Sequence, residues 1–242
     1  MSAPALDIAL THALLTDVAA ERRAPALRVF RPRPTAAFGR LDALRPGFER
    51  ACAAALDHGY VPVLRLAGGH AALFDERCVV VDHVTRERDA TAGLQARFED
   101  QSARVRDALR SLGADARIGE LAGEYCPGEY SVNAGGHAKV AGVAQRIVRH
   151  GAVTTAVVVA GGGARLRAAI ADVYGALELP VDVDTAAALD EHVAGVTVEQ
   201  VERALHDSYG TDGTLEPDAE LLAAARALLP RHSLPTRGPD RV

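Results

Sequence analysis

VPVLRLAGGHAALFDERCVVVDHV, residues 61–84, sets an apolar run at 61–66 and a valine-dense run at 78–84 on either side of Gly68-Gly69. Short runs rich in β-branched residues suit a pleated surface, and adjacent glycines turn freely, so the stretch predicts two strands joined by a glycine turn. Outward from this pair the pattern alternates. Residues 4–20 carry Leu6, Ile8, Leu10, Leu14, Leu15 and Val18 with polar residues kept to an outer face, which predicts a helix. Residues 26–30 alternate as a strand and enter a turn at the proline-interrupted 31–34, and the Ala-rich 47–58 is a helix that His58-Gly59 ends.

On the other side, residues 91–112 return to a helical period through Leu94, Phe98, Val105, Leu109 and Leu112, and Gly113 ends it. Short extended segments follow at 118–125 and 130–132, residues 142–149 are ambiguous, and 153–160 reads as a buried strand. Residues 164–177 and 198–209 complete the set as helices. Helices interleaved with strands that pair in hairpins imply an α/β (α+β) fold, a mixed and largely antiparallel sheet flanked by helices.

A chain of 242 residues suits one large domain. The expected division is a catalytic domain over 1–212 and a tail over 213–242, with one short helix at 219–229, a frayed Pro/Arg-rich end and no accessory domain. The 27 Lys and Arg against 32 Asp and Glu form no dense basic block, which argues against a nucleic-acid partner. Cys52, Cys78 and Cys126 are odd in number and have no metal-ligand spacing, and residues 1–10 lack the pattern of a signal peptide. The longest apolar stretch, 152–160, is about half of the ~20 residues needed to cross a bilayer. The expectation is a cytoplasmic protein with reduced thiols, no metal and no membrane partner. Lysine is so scarce in this Arg-rich chain that the solitary Lys139 is informative.

Three glycine-containing segments could carry chemistry. In Arg65-Leu66-Ala67-Gly68-Gly69-His70-Ala71 the paired glycines let backbone amides approach an anionic or carbonyl group, with Arg65 and His70 supplying charge or a donor; the same residues also suit a tight turn with no ligand. Gly161-Gly162-Gly163 lacks the residues of a phosphate loop and reads as a strand-to-helix connection. The third segment runs Glu124-Tyr125-Cys126-Pro127-Gly128-Glu129-Tyr130-Ser131, followed by Lys139-Val140-Ala141-Gly142-Val143-Ala144-Gln145-Arg146. A cysteine in a Pro-Gly turn is accessible, unlike Cys52 and Cys78 in apolar contexts, and a nearby lysine could lower its pKa, polarise an acyl carbonyl or carry a proton. A small buried cysteine and a surface lysine would give the same pattern.

Taken together, the Arg-x-x-Gly-Gly turn after a strand and the later Lys-x-x-Gly-x-x-Gln-Arg resemble the biotin/lipoate ligase and octanoyltransferase superfamily. Within it, the Cys-Pro-Gly turn looks most like the amidotransferase branch, which moves an octanoyl group from the glycine-cleavage H protein to lipoyl domains of 2-oxo acid dehydrogenases. The resemblance implies a catalytic domain like that of the class II aminoacyl-tRNA synthetases. It implies Cys126 as the acyl-carrying nucleophile and Lys139 as its catalytic partner, stabilising the oxyanion. It also implies Arg65, Gly68, Gly69, His70, Gly142 and Gln145 as substrate-binding residues. The match departs from the family pattern at Ala67, where serine is usual, at His70, where glycine or a small apolar residue is usual, and at Ala138, where the first of two lysines is often found.

The activity implied is transfer of an octanoyl or lipoyl group between lipoyl-domain lysines, with the H protein and E2 subunits as partners and no cofactor required. An apolar tunnel lined by Val63, Leu73 and Val143 should hold the chain, each buried methylene contributing about 0.8 kcal/mol. Two alternatives stand beside it. One is an ATP- and Mg-dependent lipoate-protein ligase with Lys139 on a lipoyl-adenylate, and the other is a catalytically silent acyl-binding homologue.

Overall fold

A computed structural model describes residues 4–210 and 214–234. The expected fraying of the Pro/Arg-rich end and the reading of the first three residues lie outside these described residues. The chain runs α1 (Pro4–Ala19), β1 (Ala26–Phe30), β2 (Thr35–Phe38), α2 (Phe48–Asp57), β3 (Val61–Leu64), β4 (Ala72–Phe74), β5 (Cys78–Arg86) and α3 (Leu94–Ser111). It continues through β6 (Ala116–Ile118), β7 (Val132–Ala134), β8 (Ala138–Val148), β9 (Gly151–Val159), α4 (Gly163–Leu177), α5 (Val198–Ser208) and α6 (Ala219–Leu228).

The strands form two sheets. The larger has the order β1-β5-β9-β8-β7-β6 and is antiparallel throughout. The smaller has the order β3-β2-β4, with β2 parallel to β3 and antiparallel to β4. The fold is therefore the expected mixed, largely antiparallel α+β arrangement, but the deciding stretch works differently from its reading. The runs at 61–66 and 78–84 are not partners in a hairpin; β3 lies in the small sheet and β5 in the large one. Between them, residues 72–74 form a strand that pairs back to β2, so the glycine loop links β3 and β4 across β2. Pro62 is compatible with this because β3 is an edge strand, where a missing N–H leaves little unpaired. The expected extended segment 118–125 is also corrected: its pairing ends at Ile118, and the rest is irregular. The ambiguous 142–149 lies within β8.

The two faces of β9 enter different cores. Ala156 and Val158 face α3 and α5 in one core, whereas Val153 packs with α1 and α6 residues such as Leu10, Leu14 and Leu221 in another. The tail helix α6 is thus fastened to α1 by apolar packing, and Asp218 caps its first turn by accepting from the Leu221 N–H. A third core joins α2, α4 and the small sheet through Phe38, Tyr60, Leu73, Ile170 and Tyr174, and it includes Tyr125. The Cys126 turn is therefore seated where the two sheets meet. No helix among the described residues is long and apolar enough to cross a membrane.

Candidate active site

The turn after Leu121 is organised from within by one buried carboxylate. Glu124, 2% exposed, accepts hydrogen bonds at Oε1 from the Gly128 N–H (3.1 Å), the Ser131 hydroxyl (2.6 Å) and Lys139 Nζ (2.9 Å), and at Oε2 from the Leu121 N–H (3.0 Å). Lys139, the only lysine of the chain, enters from β8 and is 1% exposed. Its ammonium also donates to the carbonyls of Tyr125 and Cys126, each at 2.9 Å. An ammonium has three protons, and all three are used. Lys139 lies beneath the turn as its anchor rather than in the open with a proton to offer.

Held this way, Cys126 adopts a left-handed conformation with φ 43°, unusual for a residue with a side chain. Its N–H donates to the Tyr174 hydroxyl at 2.7 Å, and that hydroxyl donates to the Ala71 carbonyl at 2.8 Å, which ties the turn to the glycine loop. Sγ is half-buried and 3.3 Å from Arg65 Nη1, which also donates to the His70 carbonyl at 2.8 Å. The loop needs glycine at 69: its φ is 107°, and a Cβ there would lie 2.8 Å from Cys126 Sγ and 2.9 Å from Arg65 Nη1. At Gly68 a Cβ would meet nothing within 4 Å, so that residue faces open space. The N–H groups of Gly68, Gly69 and His70 have no acceptor among the described residues. His70 is fixed by a 2.7 Å hydrogen bond from Nδ1 to Asp42 Oδ1, while Asp42 Oδ2, fully buried, accepts from the Gly39 N–H at 2.9 Å.

The other two thiols are in different surroundings. Burial pushes Cys78 up to about 12 and Cys52 up to about 11, which leaves both protonated and inert at neutral pH. Burial also raises the Tyr125 and Tyr174 phenols, so Tyr174 serves as a fixed hydroxyl between the turn and the loop.

A cavity of about 90 Å³ shares the Arg65 side chain with the cysteine. It lies between the large sheet, the small sheet and α1, with walls that include Ile8, Phe30, Ala37, Ala67, Phe74 and Val157. The sheet register sorts its floor into rows. Phe30, Val80, Val157 and Gly142 stand side by side, and the next same-face row is Arg28, Asp82, Thr155 and Ala144. The first row is apolar. In the second, Asp82, 1% exposed, accepts from Thr11 Oγ1 at 2.5 Å and Thr155 Oγ1 at 2.6 Å, and Arg28 donates to Thr11 Oγ1 at 3.2 Å and Asp7 Oδ1 at 3.2 Å. The residues expected to line the cavity are displaced from it by one position in two cases: Ala72 and Phe74 line it rather than Leu73, and Ala144 rather than Val143, because neighbouring strand residues face opposite ways. Val63 packs instead with Ala5 and Ala37.

Arg65, Gly69, Cys126 and Lys139 are therefore brought together, with His70 and Gly68 on the same loop. Gly142 stands over the lysine stem, where an added Cβ would lie 3.6 Å from Lys139 Cε. Gln145 is elsewhere: its Oε1 accepts from Arg97 Nε at 2.9 Å and its Nε2 donates to the Leu94 carbonyl at 3.2 Å, on the α3 side of the sheet. Sequence reading missed Glu124, Asp42 and Tyr174, and also the polar row. Only Asp82 carried a signal, as an acid inside a run of valines. At Gly161-Gly162-Gly163 no ligand space is offered, since a Cβ on Gly163 would lie 2.3 Å from the Glu191 carboxylate.

The model of one protein family, described as the lipoyl protein ligase A/B catalytic domain, matches residues 3–210. A relative from Geobacillus kaustophilus is 33% identical over 157 residues, 64% of this chain and 55% of the relative. A second, from Exiguobacterium sibiricum, is 31% identical over 169 residues, 69% of this chain and 60% of the relative. Both are named octanoyl-[GcvH]:protein N-octanoyltransferase, and the matched stretch spans little more than half the length of each. Among solved structures, lipoate-protein ligase A bound with ATP superposes with a TM-score of 0.71 at 19% identity, covering 94% of this chain and 90% of that one. The bi-partite lipoate protein ligase of Thermoplasma acidophilum, studied with its E2 lipoyl domain, gives 0.67 at 19% identity, covering 94% and 88%. Identities this low establish a shared fold.

Proposed function

Since the chain belongs to the lipoyl protein ligase A/B catalytic-domain family, we propose that it is a cytoplasmic acyltransferase of protein lipoylation, working through a thioester on Cys126. The observation that carries this reading is the placement of Sγ against Arg65, a residue that also lines a largely apolar cavity. The names of the curated relatives support an octanoylated glycine-cleavage H protein as donor, and the E2 lipoyl domain studied with the Thermoplasma ligase supports lipoyl domains of E2 subunits as acceptors.

In the first half-reaction the Cys126 thiolate adds to the carbonyl of the donor's octanoyl-lysine amide. The C–N bond breaks, and the donor amine leaves with a proton taken up from solvent, which has received the one the Cys126 thiol lost. In the second, the acceptor lysine amine adds to the thioester and gives up a proton to solvent, the C–S bond breaks, and the thiolate is restored. Splitting a difficult amide exchange in two leaves each half a single carbonyl addition. The oxyanion falls to the unused N–H groups of Gly68, Gly69 and His70, with Arg65 as the adjacent charge. Lys139, with its protons committed, keeps Cys126 in its left-handed turn. No cofactor enters either step. The three bonds that hold Lys139 support this reading over ligation through an acyl-adenylate, which would call on a lysine free to reach the adenylate.

The deciding experiment is intact mass of wild type and Cys126→Ser after incubation with octanoylated H protein without ATP. One hydroxylamine-sensitive octanoyl group on the wild type and none on the variant supports the transferase. Lipoyl-domain modification that depends on ATP and free acid overturns it in favour of a ligase.

A further inference from the structure

Arg65, which stands against the Cys126 thiol, follows directly on β3, and the outer edge of that strand is not left open. The Arg65 N–H donates inward, to the Phe38 carbonyl at the end of β2, at 3.0 Å. Successive residues of a strand direct their backbone groups to opposite sides, so the N–H and carbonyl of Leu64 point out from the sheet. Both are taken by one residue of the tail. The Leu64 N–H donates to the His232 carbonyl at 2.9 Å, and His232 Nδ1 donates to the Leu64 carbonyl at 2.9 Å. An antiparallel bridge between Val63 and Ser233 accompanies them.

A regular strand would answer the Leu64 carbonyl with a backbone N–H. Here that N–H is already used, because a short turn at Leu229–Arg231 draws the His232 N–H to the Leu229 carbonyl at 3.0 Å. The imidazole supplies the missing donor, so the bond depends on this side chain and not on the backbone alone. His232 is 4% exposed, and its Nε2 accepts from His12 Nδ1 on α1 at 2.9 Å, which fixes the ring and its tautomer. Leu229 packs against the cluster of Ala5, Ala37 and Val63, and Leu234 against the core that holds Tyr125 and Tyr174. These tail residues all lie beyond the matched domain at 3–210.

We propose that His232 is a positioning residue for acyl transfer, which sets Arg65 against the Cys126 thiol by closing the β3 edge one residue ahead of it. This inference rests on the acyltransferase reading and extends the catalytic unit past residue 210 into the tail. The path is short: His232 holds Leu64, Leu64 carries Arg65, and Arg65 Nη1 lies 3.3 Å from Sγ and 2.8 Å from the His70 carbonyl. A misplacement of about 1 Å in the groups around a reacting centre can cost on the order of 10²-fold in rate. Loss of the His232 donor therefore falls on the step in which a bound acyl group reaches Cys126.

The probes are the small thioester octanoyl-N-acetylcysteamine and octanoylated H protein, with loading of Cys126 followed by intact mass and expressed per folded molecule. His232→Leu removes the donor and keeps the site filled, whereas His232→Asn keeps an N–H at the place of Nδ1. About a tenfold or greater loss of the maximal loading rate is expected for the Leu variant, with little change in the half-saturating donor concentration, and the Asn variant should recover most of it. In an Arg65→Gln background the Leu substitution should cost nothing further, since both changes act through one group. Leu205→Ala, in the core against α5, should lower the melting temperature while loading at the wild-type rate. Should His232→Leu not fold, His232→Gln, which sets its N–H at the place of Nε2 instead, takes its place with the same expectations. Unaltered loading without the donor, an Asn variant as slow as the Leu variant, or a full loss repeated in the Arg65→Gln background would overturn the proposal. Wild type loaded by neither donor would remove the acyltransferase reading itself.

Discussion

Lys139 Nζ lies 2.9 Å from the carbonyl oxygen of Cys126, and this bond completes the ammonium's set of three. The lysine therefore acts on the shape of the nucleophile's turn. Lys139→Met leaves the buried Glu124 carboxylate without its counter-charge, a loss of about 3–5 kcal/mol, and should lower the urea midpoint and Cys126 acylation together. Adding Glu124→Gln should return part of the stability, since a neutral amide is less costly to bury, without returning the acylation rate. A Lys139→Met variant that unfolds like wild type yet cannot be acylated would place the lysine on the substrate instead.

The two loop glycines should respond differently. Gly69→Ala meets both a positive φ and a Cβ only 2.8 Å from Sγ, so a cost of roughly 1–3 kcal/mol and loss of acylation are expected. Gly68 faces open space, and Gly68→Ala should shift stability by less than about 0.5 kcal/mol. If Gly68→Ala nonetheless slows acylation while the melting curve stays put, the open space is where the acyl carbonyl sits. Equal destabilisation of the two variants would count against this description of the loop.

Alkylation should distinguish the three thiols. With Cys78 held near 12 and Cys52 near 11 by burial, iodoacetamide near pH 8 should reach Cys126 first, and peptide mapping should find the octanoyl thioester protecting that residue alone. Early modification of Cys52 would show that the helix around it opens more readily than its packing suggests.

The chemistry of the site was legible where the sequence constrains backbone and nucleophile together: a cysteine in a Pro-Gly turn, paired glycines beside Arg65, and one lysine. What Lys139 does was not, because its partner Glu124 is identified by folding rather than by spacing. The cavity lining failed for a different reason. In strands apolar on both faces, such as 78–81, hydrophobicity does not fix which phase points inward, so the pattern points to Leu73 and Val143 where Ala72, Phe74 and Ala144 serve. The small sheet was missed because β2 is four residues, two of them alanine, and β4 only three. Each is too short to show a period, and both are held by pairing across the glycine loop rather than by local preference.

His12 and His232 should make stability fall in mild acid. Leu64's carbonyl can only accept, so His232 Nδ1 carries the proton there and Nε2 accepts from His12 Nδ1 at 2.9 Å. Burial, assisted for His12 by His232, Arg231, Arg146 and Arg40, lowers His12 to about 4 and His232 below its usual value. Both folded values lie under the unfolded one of about 6.5. The unfolded chain therefore binds more protons below that pH, and stability is lost as pH falls from about 6.5 towards 4. Melting temperatures across that window should flatten in His12→Gln; an unchanged slope would assign the acid sensitivity to other groups.

Asp82 turns the cavity floor into a test of which acyl chains the site accepts. A chain reaching from Cys126 over Phe30, Val80 and Val157 gains about 0.8 kcal/mol for each methylene it buries. The next row offers Asp82, Thr155 and Thr11, already bonded to one another and to Arg28. A methylene pressed against that cluster gains little, and displacing any member would leave a buried carboxylate short of a donor, at about 1–3 kcal/mol. Thioester loading by a series of acyl-N-acetylcysteamines should accordingly rise with chain length while the apolar row is being covered, then fall once the terminal methyl meets Asp82. Thr155→Val, which removes one donor while keeping the volume, should lower stability and loosen the cut-off at the longer chains. A rate that climbed steadily through dodecanoyl would mean that the chain leaves the cavity by another path and that the Asp82 row serves α1 packing alone.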